Sequence, residues 1–243
     1  MELNSRVALV TGAGRRVGRA LALALAGRGM RVAVHFNRSS AEADETAASI
    51  RALGAECETF GADLGDAEAA RALGPRVAEH FGGLDVLLNS AGIMTRASVE
   101  ETTPAIWDQV MDVNLRSAFF TLQGALPFLR AAKGKVVNLA DVGGLEPWPR
   151  YAAHCISKAG VVMLTKTLAL ALAPDITVNA VAPGAVLPPD EWDAAARAHL
   201  ASTTPLKRLG SPADVVAAVL YLLEGGDYVT GDIIVVDGGR LIR

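Results

Sequence analysis

The sequence predicts a doubly wound, mostly parallel α/β sheet of about seven strands in a single domain, and three observations carry that expectation. Short β-branched apolar runs alternate with longer alanine- and leucine-rich stretches along the whole chain of 243 residues. The runs Val7-Ala8-Leu9-Val10 and Val86-Leu87-Leu88 are apolar without alternation, the mark of strands buried on both faces. Several runs then end in small or polar residues, and such residues gather beyond the carboxyl ends of the strands, where sheets of this class bind ligands.

Strands are expected over residues 6–10, 31–36, 56–61, 85–89, 135–140, 177–182 and 233–236. The first runs into Thr11-Gly12, the third into Asp63, and the fourth into Asn89-Ser90-Ala91-Gly92. The fifth is followed by Asp141 and the sixth by Pro183-Gly184. Between them the apolar spacing predicts helices over 18–29, 41–53, 67–81, 105–132, 152–172 and 212–223. Alternation of this length implies right-handed crossovers. Every segment adds to the same sheet, so residues 1–243 form one Rossmann-like domain, although length alone would admit one or two at ~150 residues each.

Composition narrows the function classes. Hydrophobic residues make up 51% and charged residues 20%, enough for a substantial core. A net charge of −3 gives no basic field for nucleic acid or an anionic membrane. The longest uncharged run, 176–189, is too short to span a bilayer and contains three prolines. Glu2 and Arg6 interrupt the amino end, which lacks a signal-peptide pattern, so a cytoplasmic location is expected. Cys57 and Cys155 are far apart and suggest neither a disulfide framework nor a metal pair. The four histidines, His35, His80, His154 and His199, are scattered, and no metal site is expected.

The turn Thr11-Gly12-Ala13-Gly14-Arg15-Arg16-Val17-Gly18 lies between a strand and a helix. Small residues there let the backbone approach a pyrophosphate, whose charge a helix N-terminus stabilises. NAD binding usually puts a carboxylate at the end of the second strand. Here that place reads His35-Phe36-Asn37-Arg38-Ser39-Ser40, with no acid before Glu42. Arg16, Arg38 and Ser39 suit a 2′-phosphate instead, unless the arginines are simply solvated. NADP(H) is the expected cofactor.

In order and spacing, these pieces and others resemble the short-chain dehydrogenase/reductase family nearly end to end. The others are Asn114, Ser157-Lys158-Ala159-Gly160, Val229-Thr230-Gly231 and Val236-Asp237-Gly238-Gly239. Arg16, the stretch 35–39 and the run 183–189 are most similar to pteridine reductases. The resemblance implies hydride transfer between a nicotinamide and a carbonyl, alcohol or imine-like carbon. It implies cofactor contacts at Gly12, Arg15, Arg16, Val17, Gly18, Asn37, Arg38, Ser39, Asp63, Leu64, Asn89, Ala91, Gly92, Lys158, Pro183, Gly184 and Val186.

Two positions depart from the family pattern. Four residues before Lys158, where the family carries its proton-donating tyrosine, stands His154; thirteen before that, in place of serine, stands Asp141. Pteridine reductases also tend to carry Asp at the second position. Imidazolium is a competent general acid, so the expected catalytic set is His154 as donor, Asp141 orienting or charging it, Lys158 on the ribose and Asn114 anchoring a water. Tyr151 is a second donor candidate, or else cleft wall or subunit contact. Asp63 either contacts adenine or caps a helix, and Asn114 either holds the water or satisfies a helix kink. Met94 falls where pteridine reductases stack an aromatic on the pterin, and Trp148 or Trp192 is placed to supply the missing face. A helical lid is expected over 188–204. Phe119, Phe120, Leu122, Leu126, Val161, Val162 and Leu164 are expected to form a dimer or tetramer face. The rival readings are an NADP(H)-binding sensor without catalysis and, ranked lower, a 3-ketoacyl-thioester reductase.

Overall fold

The computed structural model describes residues 1–187 and 193–242. Seven parallel strands form one sheet: β1 (Val7–Val10), β2 (Arg31–Phe36), β3 (Cys57–Gly61), β4 (Val86–Asn89), β5 (Lys135–Leu139), β6 (Thr177–Pro183) and β7 (Ile233–Val236). Their order is β3-β2-β1-β4-β5-β6-β7. The chain winds outward from β1 to one edge, returns, and continues from β4 to the other, so the order reverses between β1 and β4. Leu9 lies beside Ala33 on one side and Leu87 on the other.

Period-two side-chain alternation divides the core between the two faces. Ala8 and Val10 point to the layer holding α1 (Arg16–Ala26), α2 (Ser40–Ala52) and α8 (Pro212–Leu220). Val7 and Leu9 point to the layer of α3 (Ala67–Phe81), α5 (Ser117–Ala132) and α6 (Ala152–Leu172). The α3 and α5 backbones touch at small residues. A Cβ on Gly74 would come within 2.8 Å of the Ala125 Cα, and one on Gly124 would overlap the Arg71 carbonyl oxygen.

The expected helix over 105–132 is interrupted. It consists of α4 (Pro104–Met111), a π-helical turn (Asp112–Arg116) and α5. Extra-residue turns of this type are frequent at functional sites, and Asn114 occupies the middle of this one. Another π turn, Tyr221–Gly225, follows α8. The first helix starts at Arg16, two residues earlier than the pattern suggests, because Arg16 takes a left-handed conformation (φ 54°) that ends the glycine turn. Of the expected lid, α7 (Ala194–Thr203) is helical and starts on an Asp193 cap; residues 188–192, Trp192 among them, lie outside the described residues.

Two residues assigned to the subunit face belong elsewhere. Leu122 and Val161 are buried within the protomer, against the sheet, because their helices turn those positions inward. The outward side of α6 carries Ile156, Met163 and Leu170 instead, with Phe119 of α5 also exposed. By length and composition α6 is the one described helix apolar enough to cross a bilayer, yet its Val161, Thr165, Ala169 and Leu172 are packed inside this domain.

Candidate active site

The carboxyl ends of β1 and β4 meet at the reversal point. Gly12 (φ 66°) lies so close to the next strand that a Cβ there would fall 2.9 Å from the Ala91 Cα, and one on Gly18 would overlap the Gly12 carbonyl. Thr11 closes the same seam: its hydroxyl oxygen accepts from the N–H groups of Ser90 (2.9 Å) and Ala91 (3.0 Å). The N-terminus of α1 has no side-chain cap, and Arg15 and Arg16 beside it are exposed. A bare helix end above a cradle that any side chain would fill suits a pyrophosphate. Gly14 is fitted against Ser39, whose Oγ lies 3.2 Å from a Cβ built there.

A residue that spacing did not single out holds this turn. Buried His35 accepts the Gly12 N–H at Nδ1 (3.1 Å), and its Nε2 donates to the Ala62 carbonyl (3.1 Å). That pattern requires the neutral ring, and burial pulls its pKa down to about 4. Nothing in the sequence distinguishes His35 from an ordinary strand residue.

The other expected cofactor positions fall around the same edge. Asn37 and Arg38 are exposed, and the Asn37 amide donates to Asp63 Oδ1 (3.1 Å). Asp63 also accepts the Gly65 N–H (3.0 Å), whereas α3 is capped by Asp66, which accepts from Glu68 and Ala69. The capping alternative for Asp63 therefore falls away. Leu64 and Val186 bury their side chains in the core. Val17 packs half-buried on the α1 face of the sheet. Asn89 ties β4 to β5 through Asn138 Oδ1 (2.9 Å). A Cβ on Gly184 would lie 2.8 Å from the Asp237 Cβ, so the turn after Pro183 needs glycine. Arg16 reaches across to donate to the Leu187 carbonyl.

His154, Lys158, Asp141 and Asn114 converge beside the cradle. Lys158 is buried, with Nζ donating to the Leu139 carbonyl (2.7 Å). The same Nζ lies 3.5 Å from a Cβ built on Gly92. Burial pushes its pKa below the ordinary lysine value, and the Asp141 charge opposes that shift. Asn114 accepts the Ile93 N–H at Oδ1 (2.8 Å) and donates from Nδ2 to the Ile93 carbonyl (2.9 Å) and to Ser157 Oγ (3.0 Å). Its side chain thus satisfies the π turn and grips the strand end together.

His154 Nδ1 also donates to the Ile93 carbonyl (3.3 Å), and Nε2 points at Asp141 Oδ1, 3.7 Å away. This is ion-pair range but outside hydrogen-bond reach, and buried Nε2 has no partner. The exposure order reverses the sequence expectation: the His154 side chain is 5% exposed and that of Asp141 24%. The carboxylate, not the imidazole, is the more open member of the pair. Asp141 Oδ1 is itself fixed by the Gly143 N–H (2.7 Å).

Tyr151 occupies the N-cap position of α6 rather than a helical turn below His154, with its ring edge-on to Trp148. Met94 is exposed after β4. Both cysteines are free, and the described residues contain no cluster fit for a metal.

Comparison with known proteins matches this geometry to one family. A family profile described as enoyl-(acyl carrier protein) reductase matches residues 12–240. The chain is 38% identical to the 3-oxoacyl-(acyl-carrier-protein) reductase FabG of Staphylococcus aureus over 241 residues, 97% of this chain and 98% of that one. It is 37% identical to 3beta-hydroxysteroid dehydrogenase 1 of Eggerthella lenta over 249 residues, 99% and 95% of the two chains. A solved short-chain dehydrogenase/reductase of Serratia marcescens superposes with a TM-score of 0.92 at 31% identity, covering 99% of both chains. Acetoin dehydrogenase YohF of Salmonella typhimurium gives 0.89 at 32%, covering 98% and 96%.

The state of His35 makes stability depend on pH. Between pH 6.5 and about 4 the unfolded chain binds a proton that native His35 does not, so stability falls as pH drops through that window. At ~1.4 kcal/mol per pKa unit the loss reaches at most about 3 kcal/mol. Urea midpoints of the native protein should decline more steeply from pH 7 to 4.5 than those of His35→Gln. Parallel curves would contradict the neutral-ring assignment.

Proposed function

Because the chain belongs to the short-chain dehydrogenase/reductase family, we propose that it is an NADPH-dependent oxidoreductase reducing a small carbonyl or pterin-like substrate, with the Asp141–His154 pair as proton source. The observation that carries this reading is the meeting of imidazole, carboxylate and buried ammonium at the carboxyl end of β5, beside the glycine cradle.

Residues Gly12, Arg15, Arg16, Val17 and Gly18 would line the pyrophosphate, and Arg16, Asn37, Arg38 and Ser39 the 2′-phosphate end. Asp63 and the Leu64 main chain would face the adenine. The nicotinamide end would lie along Asn89, Ala91, Gly92, Lys158, Pro183, Gly184 and Val186. When bound, the reduced nicotinamide supplies the hydride. The chain's own contribution is the proton and its placement. Both ring nitrogens of His154 face oxygen atoms, Ile93 O and Asp141 Oδ1, so a doubly protonated ring finds an acceptor on each side. As the substrate C=O becomes C–OH, its oxygen takes the proton held between Nε2 and the carboxylate. The imidazole keeps its Nδ1–H on Ile93, and the pair reloads from solvent through Asp141. Lys158, fixed on Leu139, offers its remaining N–H groups to the ribose. Asn114 spends its amide on Ile93 and Ser157, which supports it as the fixed point for a water beside Lys158.

Among carbonyl compounds, the Staphylococcus aureus relative is named for a 3-oxoacyl thioester, which keeps that substrate in the panel. The pterin-like alternative draws on Asp141 and on Arg16 at the groove. We also assign a second copy of this chain to the outer side of α6, where Met163 is 61% and Leu170 84% exposed.

Three measurements test these readings. His154→Ala and Asp141→Asn should each lower kcat with NADPH by about 10²-fold or more across ketones, diketones, 3-oxoacyl thioesters and pterins, with NADPH affinity held within about twofold. Binding without native turnover on any of them, with activity gained in His154→Tyr, would leave a sensor in place of the enzyme. NADPH should bind at least about tenfold tighter than NADH, and Arg38→Ala should close most of that gap. Equal affinities would remove the 2′-phosphate site. In sedimentation, Met163→Glu with Leu170→Glu should convert a dimer or tetramer to smaller species. A native protein that sediments as a monomer would refute the assignment to α6.

A further inference from the structure

We infer that Trp148 is a positioning residue for His154, and that Gly143 is the seat that fixes its indole; the inference rests on the proton-source reading above. The imidazole has one hydrogen bond, from Nδ1 to Ile93 O, and at 3.3 Å that bond is long. Its acceptor is rigid, because Asn114 grips the same residue at both its N–H and its carbonyl. A single long bond does not stop the ring from turning about Cβ–Cγ, which would exchange Nε2 for a carbon at the Asp141 side. The indole of Trp148 supplies the missing restraint. It lies parallel to the imidazole, 6° between planes with centroids 6.0 Å apart, so a turn toward perpendicular would drive the imidazole edge at the indole.

Trp148 is itself held on three sides. Its Nε1 donates to Glu146 Oε1 (2.9 Å), and its ring meets Tyr151 edge-on at 6.0 Å. Its six-membered ring rests on Gly143, where a Cβ would lie 2.9 Å from Cζ3 and 3.0 Å from Cε3. The N–H of that same glycine donates to Asp141 Oδ1, the oxygen facing Nε2. One residue without a side chain therefore sets both neighbours of the imidazole, the carboxylate by its amide and the indole by the space it leaves.

The experiment is ¹⁵N NMR of histidine side chains, with His154 assigned by its loss in His154→Ala, beside steady-state kinetics of the same variants. In the native protein the neutral His154 ring should carry its proton on Nδ1 alone. Trp148→Phe should keep that tautomer and most of kcat. Trp148→Ala and Gly143→Ala should mix in the Nε2–H tautomer and lose about tenfold or more in kcat, with KM for NADPH within about twofold. A folded Trp148→Ala with the native tautomer and native kcat would overturn the assignment. Should the native protein turn over none of the panel, the tautomer shift still decides the role of Trp148, and only the enzymatic reading falls.

Discussion

The near-contact of Gly12 and Ala91 is the constraint from which the rest of the site follows. Two strands that carry the chain in opposite directions from the middle of the sheet end side by side, and no Cβ fits at Gly12. The hydroxyl of Thr11 closes one side of that seam and the neutral ring of His35 the other. With the seam closed, the end of α1 stands open over a floor of backbone, and the segment from Asn89 to Ile93 is carried toward Asn114 and Lys158.

Much of this was legible in the sequence, for physical reasons that differ by element. All seven strands were recognisable because a strand covered on both faces must be apolar at consecutive positions, as Val7 to Val10 are. The helices at Ala67–Phe81 and Ala152–Leu172 matched their expected bounds, since an Asp66 cap marks the start of one and alanine-rich composition runs through the other. The break around Asn114 was visible only as an asparagine in a helical stretch; its π geometry depends on Ile93 and Ser157, which are distant in sequence. The meeting of His154 with Asp141 followed from spacing alone, but which of them is open to solvent did not. That depends on Trp148 and Gly143, whose roles come from ring packing and an absent side chain. Leu122 and Val161 were misassigned because an apolar helix gives no sign of which side faces its own sheet.

The polar groups of the site are unequal in how firmly they are held. Lys158 and Asn114 are tied by short bonds to main-chain atoms, so the ammonium and the amide sit in fixed places. His154 has a single long bond and an unpartnered nitrogen, an expensive arrangement in a buried place. A buried polar atom without a partner is the kind of local inconsistency that accumulates at functional sites. The fold tolerates it there because the aromatic and glycine neighbours fix the geometry that hydrogen bonding leaves loose.

The π turn at Asp112–Arg116 has a consequence for how this chain tolerates insertions and deletions. One surplus residue in that turn rotates everything downstream by roughly 100° relative to an uninterrupted helix. That phase offset lets α4 lie against α6 while α5 presents Gly124 to Arg71 of α3. Removing one amino acid between 112 and 116 would restore ordinary winding and spin the glycine off its neighbour, even if every remaining side chain were kept. At this stretch of the molecule the number of residues is under tighter control than most of their identities.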